Sequence, residues 1–99
     1  MWLEGYMKIG REYIIQGRVQ GVGFRFFTYQ WMKKQPITGY VWNRDDGSVG
    51  VKAFAEENAL KEFEDWLEAG GPRSANITFW SATSCEYEQM ADFSIHHYE

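Results

Sequence analysis

An arginine directly after a glycine-rich turn can hold a phosphate, and the run from Gly17 to Arg25 (GRVQGVGFR) provides that pairing. Apolar strand residues lead into the turn, and a helical pattern opens at Phe24. Glycines let the backbone approach a ligand closely, so that successive N–H groups can converge on its oxygens. The free donors at the start of a helix add a positive dipole end. Arg25 contributes a planar, permanently charged fork that matches phosphate geometry. The candidate phosphate-binding set is therefore Gln20, Gly21, Val22, Gly23, Phe24 and Arg25.

The loop is not a Walker A motif, because no Gly-Lys-Ser/Thr follows it. It is not a dinucleotide fingerprint either, because the third glycine after Gly21 and Gly23 is missing. A second segment, Thr38 to Val49 (TGYVWNRDDGSV), reads as a strand, a tight Asp46-Gly47 turn and the start of another strand. Asn43 stands at the end of the first of these strands. Alone it is a turn former, yet its amide can donate and accept hydrogen bonds at once and so can orient a water molecule.

Together the two segments closely resemble the signature of the acylphosphatase family, G-R-V-Q-G-V-G-F-R followed by G-[WY]-V-x-N-x-x-D-G-x-V. The first block matches without a gap. The second matches at Gly39, Tyr40, Val41, Asn43, Asp46, Gly47 and Val49, and the element order agrees from about Gly10 to Tyr98. The resemblance implies a ferredoxin-like fold and metal-free, cofactor-free hydrolysis of small acyl phosphates. It also implies that Arg25 binds the phosphate and Asn43 positions the attacking water. The substrate's own phosphate would take the water proton, and the carboxylate would leave with little acid help.

Three positions depart from the usual pattern. Trp42 stands where the family commonly has Lys or Arg, Gly50 where an acidic or polar residue is frequent, and Ala55 near a usual glycine. Strand alternation puts Trp42 on the face of Tyr40 and Asn43 on the face of Val41, so the substitution need not disturb Asn43. It does remove a positive charge near the site.

Other reactive groups fit structural roles better. His96 and His97 are adjacent in a strand, so at most one can face a given site. Cys85 lacks a Cys-His arrangement. Asp45 and Asp46 are first a turn, and the acidic residues from Glu56 to Glu68 are first a solvated helix face. Thr28, one turn beyond Phe24, is expected to bond back to the preceding helical carbonyl or to support the loop.

These residues need a scaffold to bring them together. The pattern predicts strands over Tyr13 to Arg18, the segment from Thr38, Val49 to Phe54, Asn76 to Glu86 and Phe93 to Tyr98. Helices are predicted over Phe24 to Lys34 and Asn58 to Ala69. Phe24, Phe27, Thr28 and Trp31 mark the inner face of the first helix, and Ala59, Phe63, Trp66 and Leu67 that of the second. Pro36 with Gly39, and Gly70-Gly71-Pro72, are the stops. The order βαββαβ plus a short closing strand predicts an α+β sandwich, with an antiparallel sheet and two helices on one face. Trp31, Trp66 and Trp80 are expected to be substantially buried.

Ninety-nine residues suit one domain, expected over residues 10–99, with residues 1–9 as an N-terminal extension. One cysteine allows no internal disulfide, and no segment approaches the roughly 20 apolar residues of a membrane span. A cytoplasmic monomer is the expectation. A net charge of −4 disfavours nucleic acid as a partner, but a local cradle still binds a small anion such as inorganic phosphate or sulfate.

The reading is a hydrolase of small acyl phosphates. Its alternative is a noncatalytic phospholigand-binding module on the same fold. The loop also resembles the carbamoyl-phosphate-handling domain of larger hydrogenase-maturation proteins. Those carry zinc-finger cysteines that this chain lacks, so a stand-alone enzyme is the simpler expectation.

Overall fold

Period-two alternation makes Lys8–Arg18 (β1) a strand that buries Tyr13 and Ile15 completely on one face. The computed structural model describes residues 7–97. After β1 come α1 (Phe24–Met32), β2 (Thr38–Asn43), β3 (Val49–Glu56), α2 (Glu57–Glu68), β4 (Asn76–Cys85) and β5 (Phe93–His96). This is the expected ferredoxin-like sandwich with a fifth strand.

Two boundaries shift from expectation. β1 begins at Lys8, and Lys8 and Ile9 pair with Glu56 and Ala55, so these two residues belong to the sheet and not to an extension. Residues 1–6 of the expected extension, and Tyr98 at the end of the last predicted strand, lie outside the described residues.

The strand order is β4-β1-β3-β2-β5. All neighbours are antiparallel except β2 and β5, which run parallel, so the sheet is mixed and not wholly antiparallel. The cause is the return path. β4 lies at one edge and finishes beside Gly10; the chain then crosses the end of the sheet to the other edge and enters β5 from the end where β2 begins. Tyr87 of this crossing packs edge-on against Phe54, with ring centroids 5.9 Å apart, and Gly39 N–H donates to the Asp92 carbonyl at 3.1 Å.

Both helices contribute apolar stripes to the core. α1 buries Phe24, Thr28 and Met32, and α2 buries Leu60, Phe63 and Leu67. The inner stripe of α1 thus follows every fourth residue, leaving Phe27, expected inside, 43% exposed. Trp31, Trp66 and Trp80 are half-buried and not deeply buried. Trp31 stacks on Trp66 at 5.3 Å, where α1 meets α2, so their outer edges remain in water.

Among the described residues, the buried tryptophan is Trp42, at 5% exposure. Its β3 partner in register is Gly50, and a Cβ built on Gly50 would lie 2.4 Å from the Trp42 ring. The two departures from the family pattern are therefore one feature: the indole occupies the space that a side chain at position 50 would fill. Gly50→Ala is expected to destabilise the protein by about 1–3 kcal/mol through overpacking. The double variant Gly50→Ala/Trp42→Val should recover part of the loss in chemical denaturation, whereas additive effects would show that the two sites do not share space.

One polar cluster ties β1 to α2. The buried Tyr13 hydroxyl donates to Glu64 Oε2 at 2.8 Å, and Arg11 Nη1 donates to the same oxygen at 2.8 Å. Burial first, and then the Glu64 carboxylate, push the Tyr13 phenol far above its ordinary range. Glu64→Ala strands that hydroxyl and is expected to cost about 1–3 kcal/mol. A phenol whose pKa is raised in the folded state stabilises below its unfolded pKa of about 10, and that contribution is lost as pH rises above it. Stability should therefore fall on the alkaline side of pH 10, with a shallower slope in Tyr13→Phe; equal slopes in the two proteins would contradict this assignment.

Candidate active site

The turn after β1 is built by two left-handed glycines, Gly21 at φ 76° and Gly23 at φ 81°. A Cβ on Gly21 would meet nothing within 4 Å, so the requirement there is backbone conformation and not space. Gly23 is also the N-cap of α1 and offers no side chain to cap it. The first helical bond runs from Phe27 N–H to the Gly23 carbonyl at 3.0 Å. The N–H groups of Phe24, Arg25 and Phe26 therefore have no acceptor within the helix. Ser74 meanwhile donates its hydroxyl to the Val22 carbonyl at 2.7 Å, tying the loop to the segment that precedes β4.

Gln20 has a different task from that of a ligand-facing side chain. Its Nε2 donates to the carbonyls of Arg44 at 2.7 Å and Ser48 at 2.8 Å, binding the loop to the β2–β3 hairpin. The hairpin is itself closed by Arg44 N–H to the Ser48 carbonyl at 2.9 Å and by Ser48 N–H to Asp46 Oδ1 at 3.0 Å. The Ser48 hydroxyl and amide hold the Asp46 carboxyl below its usual range, with nearby Arg44 adding to this. Asp46 is thus a turn-stabilising residue.

A cleft of about 230 Å³ opens between this loop and the ends of β2 and β5. Val19, Gly21, Gly23, Phe24, Arg25 and Asn43 line it, joined by Phe26, Ile95 and His97. Of the sequence-predicted residues, Arg25, Asn43, Gly21, Gly23 and Phe24 come together here; Gln20 and Val22 lie outside the lining. Arg25 is half-buried, and its Nη1 donates to the His96 carbonyl at 3.1 Å. That bond fixes the guanidinium while leaving most of its five N–H donors free. The adjacent histidines diverge as alternation requires: His97 reaches the cleft, and the His96 ring stacks on Tyr40 at 4.2 Å.

Sequence reasoning missed the roles of Ser74, Phe26 and the His96 carbonyl. Ser74 lies 52 residues from Val22 and the His96 carbonyl 71 from Arg25, and no local pattern announces such contacts. Thr28 is fully buried but its Oγ1 has no hydrogen-bond partner, so the expected bond back to the helix does not form. Burial raises the Cys85 thiol pKa, as befits a small packing residue.

A larger cleft, about 660 Å³, lies at the opposite end of the sheet, where α1 finishes and β2 and β5 begin. Its lining includes Lys33, Phe54, Tyr87 and Phe93 but neither Arg25 nor Asn43. Size does not select the site here; convergent donors do.

Known proteins share the sequence and fold of this chain. The chain is 45% identical over 91 residues to an acylphosphatase of Photorhabdus laumondii, covering 92% of this chain and 99% of that one. The crystal structure of an acylphosphatase from Bacillus subtilis superposes with a TM-score of 0.82 at 39% identity, covering 92% of this chain and all of the other. A full-length HypF in its phosphate- and nucleotide-bound form reaches a TM-score of 0.84 at 27% identity over 91% of this chain, but this match takes up only 12% of the HypF chain. The acylphosphatase family model matches residues 11–95, and with it the chain belongs to the acylphosphatase family.

Proposed function

We propose that this cleft hydrolyses small acyl phosphates, with Arg25 and the loop amides from Gln20 to Arg25 holding the phosphoryl group and Asn43 orienting the water. The acylphosphatase relatives support the reaction class, cleavage of an acyl phosphate to a carboxylate and phosphate. The observation that carries the residue roles is a helix start without a side-chain cap that shares one cleft with Arg25 and Asn43.

In this scheme the free N–H groups of α1 and the Arg25 fork meet the equatorial phosphoryl oxygens, where charge shifts in the transition state. The Asn43 amide oxygen accepts a hydrogen bond from the attacking water and aims its lone pair at phosphorus. The P–O bond to the acyl group breaks, and its electron pair leaves on the carboxylate. A carboxylate of pKa about 4 departs without a proton donor. The water's proton passes to a phosphoryl oxygen of the substrate, so no protein base is needed. Inorganic phosphate, the product, occupies the same cradle.

The unit carrying this chemistry is a single domain acting as a monomer. A lone thiol suits a reducing compartment, and on that basis we assign the protein to the cytoplasm. Among the described residues, no helix is long and apolar enough to cross a membrane.

Purified protein should release phosphate from acetyl, carbamoyl and benzoyl phosphate but little from phosphate monoesters, whose alkoxide leaving groups need acid or metal assistance. Activity should survive a chelator. Comparable turnover of a monoester, or loss with chelator reversed by Mg²⁺, would rule the scheme out.

Two variants separate binding from turnover. Arg25→Ala should weaken both phosphate binding and kcat, and Arg25→Lys should recover only part because an ammonium lacks the fork. Asn43→Ala should keep phosphate affinity near the parent value and lose on the order of 10²-fold in kcat. Phosphate should raise Tm in the parent and in Asn43→Ala, by mass action on the folded state, but hardly in Arg25→Ala. Equal phosphate protection of Arg25→Ala would show that the cradle is elsewhere, and a parental kcat in Asn43→Ala would remove that residue from the mechanism.

A further inference from the structure

The cleft around Arg25 and Asn43 has more apolar wall than a phosphoryl group can use. Of its four apolar lining residues, Val19 and Phe24 are buried in the core beneath it, whereas Phe26 is exposed and Ile95 half-buried. Its volume of about 230 Å³ also exceeds the space of a phosphoryl group with one water, on the order of 100 Å³ by comparison with liquid water.

Phe26 is the informative residue of this wall. It follows Arg25 directly, in the first turn of α1, and is 51% exposed. The α1 stripe that enters the core is Phe24, Thr28 and Met32, so Phe26 serves no core contact. Its ring meets that of Phe27 edge-on at 5.7 Å. Phe27 in turn lies close against Gly23, where an added Cβ would be 3.2 Å from its ring. The aromatic pair is therefore anchored on the phosphate loop itself, and water contact on a half-exposed phenyl ring at the mouth of a binding cleft is unfavourable until something apolar covers it.

We infer that Phe26, with the half-buried Ile95, forms a subsite for the acyl substituent, so that this enzyme favours acyl phosphates bearing an apolar group, aromatic or branched aliphatic, over small polar ones. This inference rests on the active-site reading above, since the acyl group reaches Phe26 only from a phosphoryl group seated on the adjacent loop. The subsite acts on binding of the substituent and leaves the bond-breaking step to Arg25 and Asn43. Discrimination should thus appear mainly in KM.

The test is steady-state hydrolysis of benzoyl, acetyl and carbamoyl phosphate by the parent, Phe26→Ala and Phe26→Leu, with the inhibition constant of inorganic phosphate measured for each. Comparing variant with parent cancels the intrinsic reactivities of the substrates. The benzoyl-to-acetyl ratio of kcat/KM is expected to fall about tenfold in Phe26→Ala, the size expected when roughly 50 Å² of apolar contact is lost. Phe26→Leu should restore part of it, and phosphate inhibition, which involves no acyl group, should stay within about twofold. An unchanged or increased ratio with phosphate inhibition intact would overturn the subsite while leaving the phosphate loop in place. Failure of the underlying reading is distinguishable, because inorganic phosphate would then inhibit the Arg25→Ala protein as well as the parent.

Discussion

The site depends on a bridge between two parts of the chain that the sheet keeps apart. β1 and β2 are not neighbours, since β3 lies between them. The loop after β1 carries the groups proposed to hold the phosphate, and the end of β2 carries Asn43. The Gln20 side chain closes that gap by donating two hydrogen bonds, to the Arg44 and Ser48 carbonyls, across the mouth of the β2–β3 hairpin. Both acceptors belong to backbone that the hairpin has already fixed, so the loop inherits the rigidity of the sheet. The water-orienting role proposed for Asn43 demands positioning within a few tenths of an ångström, and such a mount provides it.

The same economy appears around Arg25. Among the described residues, its guanidinium is held by a main-chain oxygen, the His96 carbonyl, and not by a carboxylate. A carboxylate partner would neutralise the charge that a phosphate needs, whereas a carbonyl orients the fork and leaves its full charge available. The position of that carbonyl depends on β5, whose parallel register with β2 sets Trp42 against His96 and lets the His96 ring lie on Tyr40. The parallel edge strand thus contributes to the site through its backbone.

Much of this was legible in the sequence, for a physical reason. The phosphate loop is contiguous, and left-handed turns select glycine strongly enough that Gly21 and Gly23 announce the backbone they adopt. Asn43 and the Asp46-Gly47 turn are likewise local. What stayed hidden was nonlocal or decided by competition for space. Phe27 and Met32 are both apolar and both near the inner face of α1, and only the packing of α1 against the sheet selects Met32. The direction of β5 depends on how a short segment crosses the sheet end, which no periodicity encodes. Trp42 and Gly50 look like two unrelated departures until the register places them opposite each other.

That a protein of net charge −4 can present the anion site proposed above is a matter of distance. Coulomb interactions between exposed charges are largely screened beyond about 8–10 Å at physiological salt. Five of the fourteen acidic residues, Glu57, Glu62, Glu64, Asp65 and Glu68, stand on α2, which contributes nothing to the lining of the cleft. Among the described residues, that lining holds Arg25 and no carboxylate. Glu64, moreover, is already paired with Arg11 at 2.8 Å. A phosphate seated as proposed would therefore meet the N–H groups of the α1 start and one guanidinium at contact distance, with the acidic face of α2 on another element. Local donors decide binding, and the remainder of the surface is left free to be acidic.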